Sequence, residues 1–253
     1  MTYCLSMRLH EGLVFLSDTR TNAGVDNIST YRKLHVFRPA PDRVFVLQSA
    51  GNLATTQEVL DRIEVDLSTE GEHESLATVD HLFQAALYVG ELSWQTAQRH
   101  QAALAAAGAD GTATLLLGGQ VGGDPPDILL VFPQGNYIRA SDDLPFLQIG
   151  EAKYGKYLLD VAVHEHADLS TGLKIALGSM IATARANLAV GPPYDACVYR
   201  AGSFELEEFR FEAGSEIVAE LRAVWERHIH GTVSELPDIS LPAMRAGSQA
   251  VGA

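Results

Sequence analysis

The stretch TYCLSMRLHEGLVFLSDTRTNAGVDNISTYRKLHVF (residues 2–37) predicts the first three strands of the protein. It begins with imperfect polar and apolar alternation, and the turn residues at 10–12 separate this part from the apolar run 13–18. Two such runs joined by a short polar turn are typical of a β-hairpin. Residues 19–32 have the composition of a loop, and a third strand is predicted over 33–38.

The rest of the chain continues in blocks of one kind of element. A fourth strand (43–50) precedes two helices (53–67, 79–106), three strands (112–117, 128–132, 137–139), two helices (152–162, 169–189), two strands (194–200, 204–211) and a helix (215–229). Segregated runs of this kind favour an α+β fold over alternating βαβ units. We expect a four-layer αββα sandwich, in which two antiparallel sheets stack face to face with helix pairs outside.

The size and composition are those of a globular protein. With 253 residues, 47% of them hydrophobic, the chain can bury a large core without disulfides or a structural metal. We expect a single domain over 2–235. The residues after it show no periodicity, so 236–253 are predicted to form a mobile C-terminal tail.

Charge and cysteine content narrow the functional classes. The chain has 18 basic and 32 acidic residues, a net charge of −14, which argues against nucleic-acid and anionic-membrane partners. Two cysteines, Cys4 and Cys197, are too few for a disulfide framework and fit a reducing compartment. No secretory signal and no apolar stretch of membrane-spanning length is visible, so we expect a cytoplasmic protein.

The second residue is the most informative one for chemistry. Removal of Met1 would leave Thr2 with both a hydroxyl and a free α-amine. Such an amine, with an ordinary pKa of roughly 7.7–8.0, can accept the hydroxyl proton and activate the oxygen as a nucleophile. A threonine at this position is common among cytoplasmic proteins, so Thr2 alone is a weak signal.

Two charged residues strengthen the interpretation of Thr2. Asp18 ends the strand that is expected to pair with the Thr2 strand, and Lys33 begins the next strand. All three can therefore meet at one end of a sheet. A lysine there would favour the threonine alkoxide, and an aspartate would hold the ammonium charged. The alternative is a surface Asp–Lys pair of little energetic value.

Several motifs together resemble proteasome β-subunits, and most closely the bacterial ancestral β-subunit family of proteasome-type proteases. They are Thr2, SDTRTNAGVDNISTYRKLHVF (17–37), SAGNLATTQ (49–57), IGEAKYGK (149–156) and RANLAVGPPYD (185–195). The resemblance implies the N-terminal-nucleophile hydrolase sandwich, which agrees with the order of the predicted elements. It also implies a threonine peptidase that needs no cofactor, acts on peptides or unfolded polypeptides, and self-associates into a large ring or helical homo-oligomer.

The resemblance also implies a role for individual residues. Thr2 would be the nucleophile, Lys33 would lower the pKa of its hydroxyl, and Asp18 would orient Lys33. The backbone N–H of Gly51 would stabilise the oxyanion. A peptide substrate would pair with Thr21-Asn22 by strand addition, with the structural residue Arg20 beside the site.

Two positions depart from the family pattern. Where a serine and an aspartate support the threonine of proteasome β-subunits, this chain has Glu151 and Asn187. Glu151 is either a substitute acid or base at the site or a surface carboxylate. These departures keep two alternatives open, namely a self-assembling scaffold subunit with little or no activity and an amidase that acts on a small molecule.

A histidine-rich segment and one cysteine are further candidates for a site. His164-Glu165-His166 with Asp168 could ligate a metal, but a solvated acidic loop is the favoured interpretation, and we expect no metal site. Cys4 could be a thiol nucleophile, but its place on a buried strand favours a packing role.

Overall fold

The computed structural model describes residues 2–22, 28–69, 71 and 73–238. The strands of these residues are β1 (Tyr3–Leu9), β2 (Gly12–Asp18), β3 (Arg20–Asn22), β4 (Ile28–Thr30), β5 (Leu34–Ala40), β6 (Arg43–Gly51), β7 (Ala113–Val121), β8 (Asp127–Val131), β9 (Tyr137–Arg139), β10 (Phe146–Gly150), β11 (Tyr194–Arg200) and β12 (Leu206–Phe211). The helices are α1 (Leu53–Ser68), α2 (Leu82–Ala106), α3 (Ala152–Ala162), α4 (Leu169–Ala186) and α5 (Glu216–Glu235).

The strands form two large antiparallel sheets and a small ribbon. The first sheet has the order β10-β1-β2-β11-β12, and the second has the order β5-β6-β7-β8-β9. Strands β3 and β4 pair only with each other among the described residues. In the first sheet, Tyr3 of β1 lies opposite Gly150, and Cys4 lies opposite Ser17 of β2. The beginning of β1 is therefore next to the end of β2.

Three apolar cores separate four layers. One core lies between the first sheet and helices α3, α4 and α5, and a second lies between the other sheet and helices α1 and α2. The third core contains side chains of both sheets, among them Phe15, Val46 and Leu116. Alternation along β2 explains this arrangement, because Val14 and Leu16 face the helices while Phe15 faces the opposite sheet.

The central strands have almost no exposed face. Every residue of β2 is buried, although the strand ends in Ser17 and Asp18. Sheets that are covered on both faces give apolar runs rather than polar alternation. This is why the middle strands of the sequence lack a polar face.

The predicted elements match the structure closely, with a few instructive differences. The stretch 19–32, predicted as a loop, contains β3 and β4, and β10 was not predicted. Helix α2 begins at Leu82 rather than at residue 79, and α5 extends to Glu235 rather than 229. The third strand continues through Pro39 to Ala40 by means of a β-bulge, which is possible because β5 lies at a sheet edge.

The C-terminal part of the chain lies mostly outside the described residues. Helix α5 ends at Glu235. Of the predicted tail over 236–253, only residues 236–238 are described, so its mobility stays a prediction. Among the described residues, none of the helices combines the length and the apolar character needed to cross a bilayer.

Candidate active site

A cleft of about 460 Å³ opens at the end of the sandwich where β1 and β5 begin and β6 ends. Its lining includes Thr2, Lys33 and Gly51, three of the residues proposed from the sequence. Residue Thr21 of the β3–β4 ribbon lines it as well. The antiparallel arrangement brings these residues together, because the start of one strand and the end of its neighbour lie at the same end of the sheet.

Asp18 and Lys33 form a buried ion pair beneath this cleft. Lys33 Nζ lies 2.7 Å from Asp18 Oδ1 and also donates a hydrogen bond to the carbonyl oxygen of Arg20 at 2.6 Å. The Asp18 side chain is fully buried and that of Lys33 is 6% exposed. A buried pair of this kind is held in one geometry, so the alternative of a loose surface pair was wrong for these residues.

Backbone donors complete the surroundings of Asp18. The N–H of Tyr3 donates to Oδ1 at 3.0 Å, and the N–H of Gly191 donates to Oδ2 at 3.3 Å. Burial raises the pKa of the Asp18 carboxyl, while the charge of Lys33 and these N–H groups act in the opposite direction. Through these hydrogen bonds, Asp18 connects β1, Lys33 and the loop that precedes β11.

Thr2 is positioned by its backbone. Its carbonyl oxygen accepts a hydrogen bond of 2.7 Å from the N–H of Glu151, the residue that precedes α3. A Cβ at Gly150 would lie only 2.0 Å from the same oxygen, so glycine is needed next to Glu151. Met1 is not among the described residues, so its removal stays a prediction.

Glu151 and Asn187 contact each other rather than the cleft. Asn187 Nδ2 donates to Glu151 Oε2 at 2.8 Å, and its Oδ1 accepts from the N–H of Ala189. Neither residue is among the described residues that line the cleft. Glu151 therefore connects to the candidate site through its backbone contact with Thr2, while its side chain fixes the loop after α4.

The residue that follows Thr2 is anchored by a chain of hydrogen bonds. Gln148 donates to Tyr3 Oη, which lies 2.7 Å from Ser179 Oγ, and Ser179 in turn donates to the carbonyl oxygen of Gly155. Burial raises the pKa of Tyr3 to about 12. The start of β1 is thus attached to α3 and α4, and only glycine fits at 155, because a Cβ would lie 2.1 Å from Ser179 Oγ.

Gly51 has a backbone conformation that other residues adopt with strain. Its φ is +117°, and a Cβ would lie 2.5 Å from the carbonyl oxygen of Thr112. The residue is exposed at the mouth of the cleft, where a substrate backbone could approach closely.

The β3–β4 ribbon forms one wall of the cleft through Thr21, which lies opposite Ser29 of β4. Asn22 ends β3, at the edge of the described residues. Arg20 points the other way, because its Nη1 donates to the carbonyl oxygen of Leu188 at 2.7 Å and its guanidinium occupies the space where Gly191 lacks a side chain.

Some lining residues were not identified from the sequence. Ser49, Asp110 and Thr112 contribute polar groups to the cleft. Asp110 accepts hydrogen bonds from both the N–H and the hydroxyl of Thr112, and its carbonyl oxygen accepts one from Asn52 Nδ2. The turn sequence Asp110-Gly111-Thr112 was the available signal for this feature.

Cys4 is not part of the cleft lining. It is fully buried between the sheets, and burial raises the pKa of its thiol, so the thiolate needed for nucleophilic attack is disfavoured. Its Sγ donates weakly to the carbonyl oxygen of Ser49. These contacts agree with a packing role.

Comparison with solved structures identifies the family. The ancestral β-subunit Anbu of Yersinia bercovieri superposes with a TM-score of 0.87 and 39% identity over 95% of this chain and 100% of that one. The chain belongs to the Anbu family. Anbu from Hyphomicrobium sp. strain MC1 matches with a TM-score of 0.86 and 38% identity over 95% and 100% of the two chains. No family model and no curated protein matches the chain.

A third Anbu structure describes an assembly. It is the helical assembly of the Anbu complex from Pseudomonas aeruginosa, with a TM-score of 0.89 and 39% identity over 96% of this chain and 99% of that one. The match therefore extends over nearly the whole of both chains. The predictions of an ancestral proteasome β-subunit and of its α+β sandwich are therefore confirmed for this Anbu protein.

Proposed function

We propose that this Anbu protein is a threonine peptidase that uses Thr2 as its nucleophile after removal of Met1. The observation that carries the proposal is the position of Lys33, whose ammonium group is fixed by Asp18 and the Arg20 carbonyl in the cleft that Thr2 lines. A fixed positive charge beside a hydroxyl lowers the free energy of the alkoxide form.

The proposed reaction proceeds through an ester. The α-amine of Thr2 takes the hydroxyl proton, and Oγ1 attacks the substrate carbonyl carbon. The N–H of Gly51 stabilises the resulting oxyanion. Collapse of the tetrahedral intermediate breaks the C–N bond, and the leaving amine takes up the proton. Water then attacks the ester carbon, the bond to Oγ1 breaks, and the acyl part leaves as a carboxylic acid, which restores the threonine.

The substrate class is inferred from the walls of the cleft. An extended peptide would pair with the edge of β3 that faces away from β4, between Thr21-Asn22 and the end of β6. We therefore propose peptides or unfolded polypeptides as substrates. A small amide is the alternative, since a volume of about 460 Å³ also suits a small molecule. The proposed compartment is the cytoplasm, and a requirement for an unfoldase partner is left open.

Self-association into a large ring or helical homo-oligomer is part of the proposal. It is supported by the relative from Pseudomonas aeruginosa, which is described as a helical assembly. Enclosure of the cleft within such an assembly would restrict substrates to chains that can enter in an unfolded form.

A mass measurement tests the nucleophile. The purified protein is treated with a β-lactone directed at N-terminal threonine, and its intact mass is recorded. We expect loss of one methionine and gain of one adduct, with no adduct on Thr2→Ala. Labelling of Thr2→Ala to the same extent would overturn the assignment.

A scaffold subunit with little turnover is the second candidate. The specific observation in its favour is that the Glu151 carboxylate pairs with Asn187 and does not line the cleft, which argues against Glu151 as a substitute acid or base beside Thr2. A chain that retains Met1, assembles and is not labelled would favour this candidate. The size distribution of Thr2→Ala in analytical ultracentrifugation serves as the control, because both candidates expect it to assemble.

A further inference from the structure

Two histidines and a glutamate converge on the surface of the first sheet, at the end of β1 opposite to the cleft. His10 lies in the turn between β1 and β2, whereas Glu165 and His166 lie in the loop between α3 and α4. One ligand atom of each lies within 4.8 Å of the others. The sequence alone groups only the loop residues, because His10 is more than 150 positions away.

The separations are close to those of ligand atoms around a tetrahedral ion, and each imidazole is next to a different oxygen of the Glu165 carboxylate. His10 Nε2 lies 3.6 Å from Glu165 Oε2, and His166 Nε2 lies 3.6 Å from Glu165 Oε1. Bonds to zinc of about 2.0–2.2 Å at the tetrahedral angle put neighbouring ligand atoms about 3.3–3.6 Å apart. The two imidazole rings lie edge to face with centroids 4.4 Å apart, and binding of one ion by all three residues requires their side chains to rotate toward it.

The backbone around the cluster is already fixed. The N–H of His10 donates to the carbonyl oxygen of Glu165 at 2.8 Å, and the N–H of Ala167 donates to that of His164 at 3.0 Å. Asp168, the fourth residue considered from the sequence, caps α4 through a 2.6 Å hydrogen bond from the N–H of Thr171. Asp168 is therefore engaged elsewhere, and His10 takes its place in the candidate ligand set.

We propose that His10, Glu165 and His166 bind a divalent transition-metal ion of the zinc class. Two imidazoles and one carboxylate favour such an ion over Mg²⁺ or Ca²⁺, which prefer sets of oxygen ligands. Both histidines are exposed, so the ion can enter from solvent and complete its coordination with water. The ion would join the β1–β2 turn to the α3–α4 loop, and this site is independent of the proposed chemistry at Thr2.

Titration with Zn²⁺ alone tests the proposal on the untagged full-length protein. Binding is followed by calorimetry, and Co²⁺ is used in a parallel titration because a four-coordinate Co²⁺ site absorbs strongly in the visible range. We expect one ion per chain, and a dissociation constant at least tenfold weaker in His10→Ala and in His166→Ala.

His164→Ala is the matched control, since it removes an exposed histidine from the same loop that lies outside the cluster. It is expected to bind Zn²⁺ as the unmodified protein does. Equal weakening by His164→Ala, or unchanged binding by His10→Ala, would overturn the proposal, as would the absence of any one-to-one binding. The near-ultraviolet circular dichroism of each variant verifies that its fold is retained.

Discussion

Asp18 is a carboxylate without solvent contact whose oxygens are shared among one ammonium and two backbone N–H groups. A buried ion pair adds little net stability, but removal of one partner leaves an uncompensated charge in the core. The pair with Lys33 therefore couples the candidate chemistry of the cleft to the stability of the fold.

The coupling between Asp18 and Lys33 can be measured with a double-mutant cycle. Lys33→Met should lower the free energy of unfolding by about 3–5 kcal/mol, because the carboxylate loses its partner. Adding Asp18→Asn should then restore part of that loss, with a coupling energy of about 0.5–3 kcal/mol. Urea unfolding of the four proteins provides the values.

Additive effects of the two substitutions on the free energy of unfolding would contradict the buried pair.

Lys33→Met should also abolish labelling by the β-lactone. Asp18→Asn/Lys33→Met is expected to remain unlabelled although it is more stable than Lys33→Met, which separates the loss of the ammonium from a loss of folding.

At the scale of elements, the helices that cover the sheets begin at well-defined caps. Asn52 Oδ1 accepts from the N–H of Thr55 at the start of α1, and Asp168 does the same for Thr171 at the start of α4. Both residues are of the types that favour this position. Both starts were predicted correctly from the sequence, but only Asn52 was predicted as a cap, and the structure adds this role for Asp168.

The charge of Asp168 should make α4 sensitive to acid. Hydrogen bonds from the backbone and side chain of Thr171 hold the pKa of Asp168 below its usual value of 3.8. A carboxyl whose pKa is lowered by folding stabilises the protein above its unfolded-state pKa and loses this contribution as the pH falls through its folded-state pKa. Wild type should exceed Asp168→Asn in Tm at pH 6, and the difference should shrink below pH 4.

Asp168→Ala is the control for this prediction, because alanine removes the cap together with the charge. It should have a lower Tm than Asp168→Asn at every pH, since asparagine is itself a good cap. A Tm difference between wild type and Asp168→Asn that stays constant down to pH 3 would show that the charge of Asp168 does not contribute.

Three short strands were not predicted from the sequence. Strands β3 and β4 are three residues each and pair with each other, whereas β10 pairs with β1, more than 130 positions away. Such short strands carry too few residues for a period-2 pattern. Their existence is decided by the partner strand.

At the scale of the whole molecule, the two sheets are joined by close packing and a few polar contacts. Gln48 of β6 donates to the Leu16 carbonyl oxygen and accepts from Ser6, which links the sheets by hydrogen bonds. At Gly118 of β7, a Cβ would lie 2.6 Å from the ring of Phe15 and 2.9 Å from Ile128. The absence of a side chain at 118 thus sets the local distance between the sheets.

Gly118→Ala tests this spacing. The added methyl group should lower the free energy of unfolding by about 1–3 kcal/mol, because the core between the sheets is already filled. Phe15→Leu in the same chain should relieve part of the clash, so the double variant should lose less than the sum of the single effects. Gly123→Ala, where a Cβ would meet nothing within 4 Å, should change stability by no more than about 0.5 kcal/mol.

Local sequence patterns were sufficient to predict the layer order, most helix and strand positions, and the candidate set Thr2, Asp18 and Lys33. These properties depend on side-chain periodicity, on turn residues and on the antiparallel pairing of neighbouring strands. Each of these is determined by residues close together in the sequence. The motifs of the ancestral β-subunits were likewise recognisable without coordinates.

Only the tertiary structure decided how distant loops meet the strands. The N–H of Gly191 reaches Asp18 across 173 positions, the Glu151 side chain turns to Asn187 rather than into the cleft, and His10 joins the α3–α4 loop. No local periodicity encodes such contacts, because they depend on the relative placement of elements that pack through three separate cores. Residue types at single positions determined which groups were available, and the packing of the sandwich determined which of them face one another.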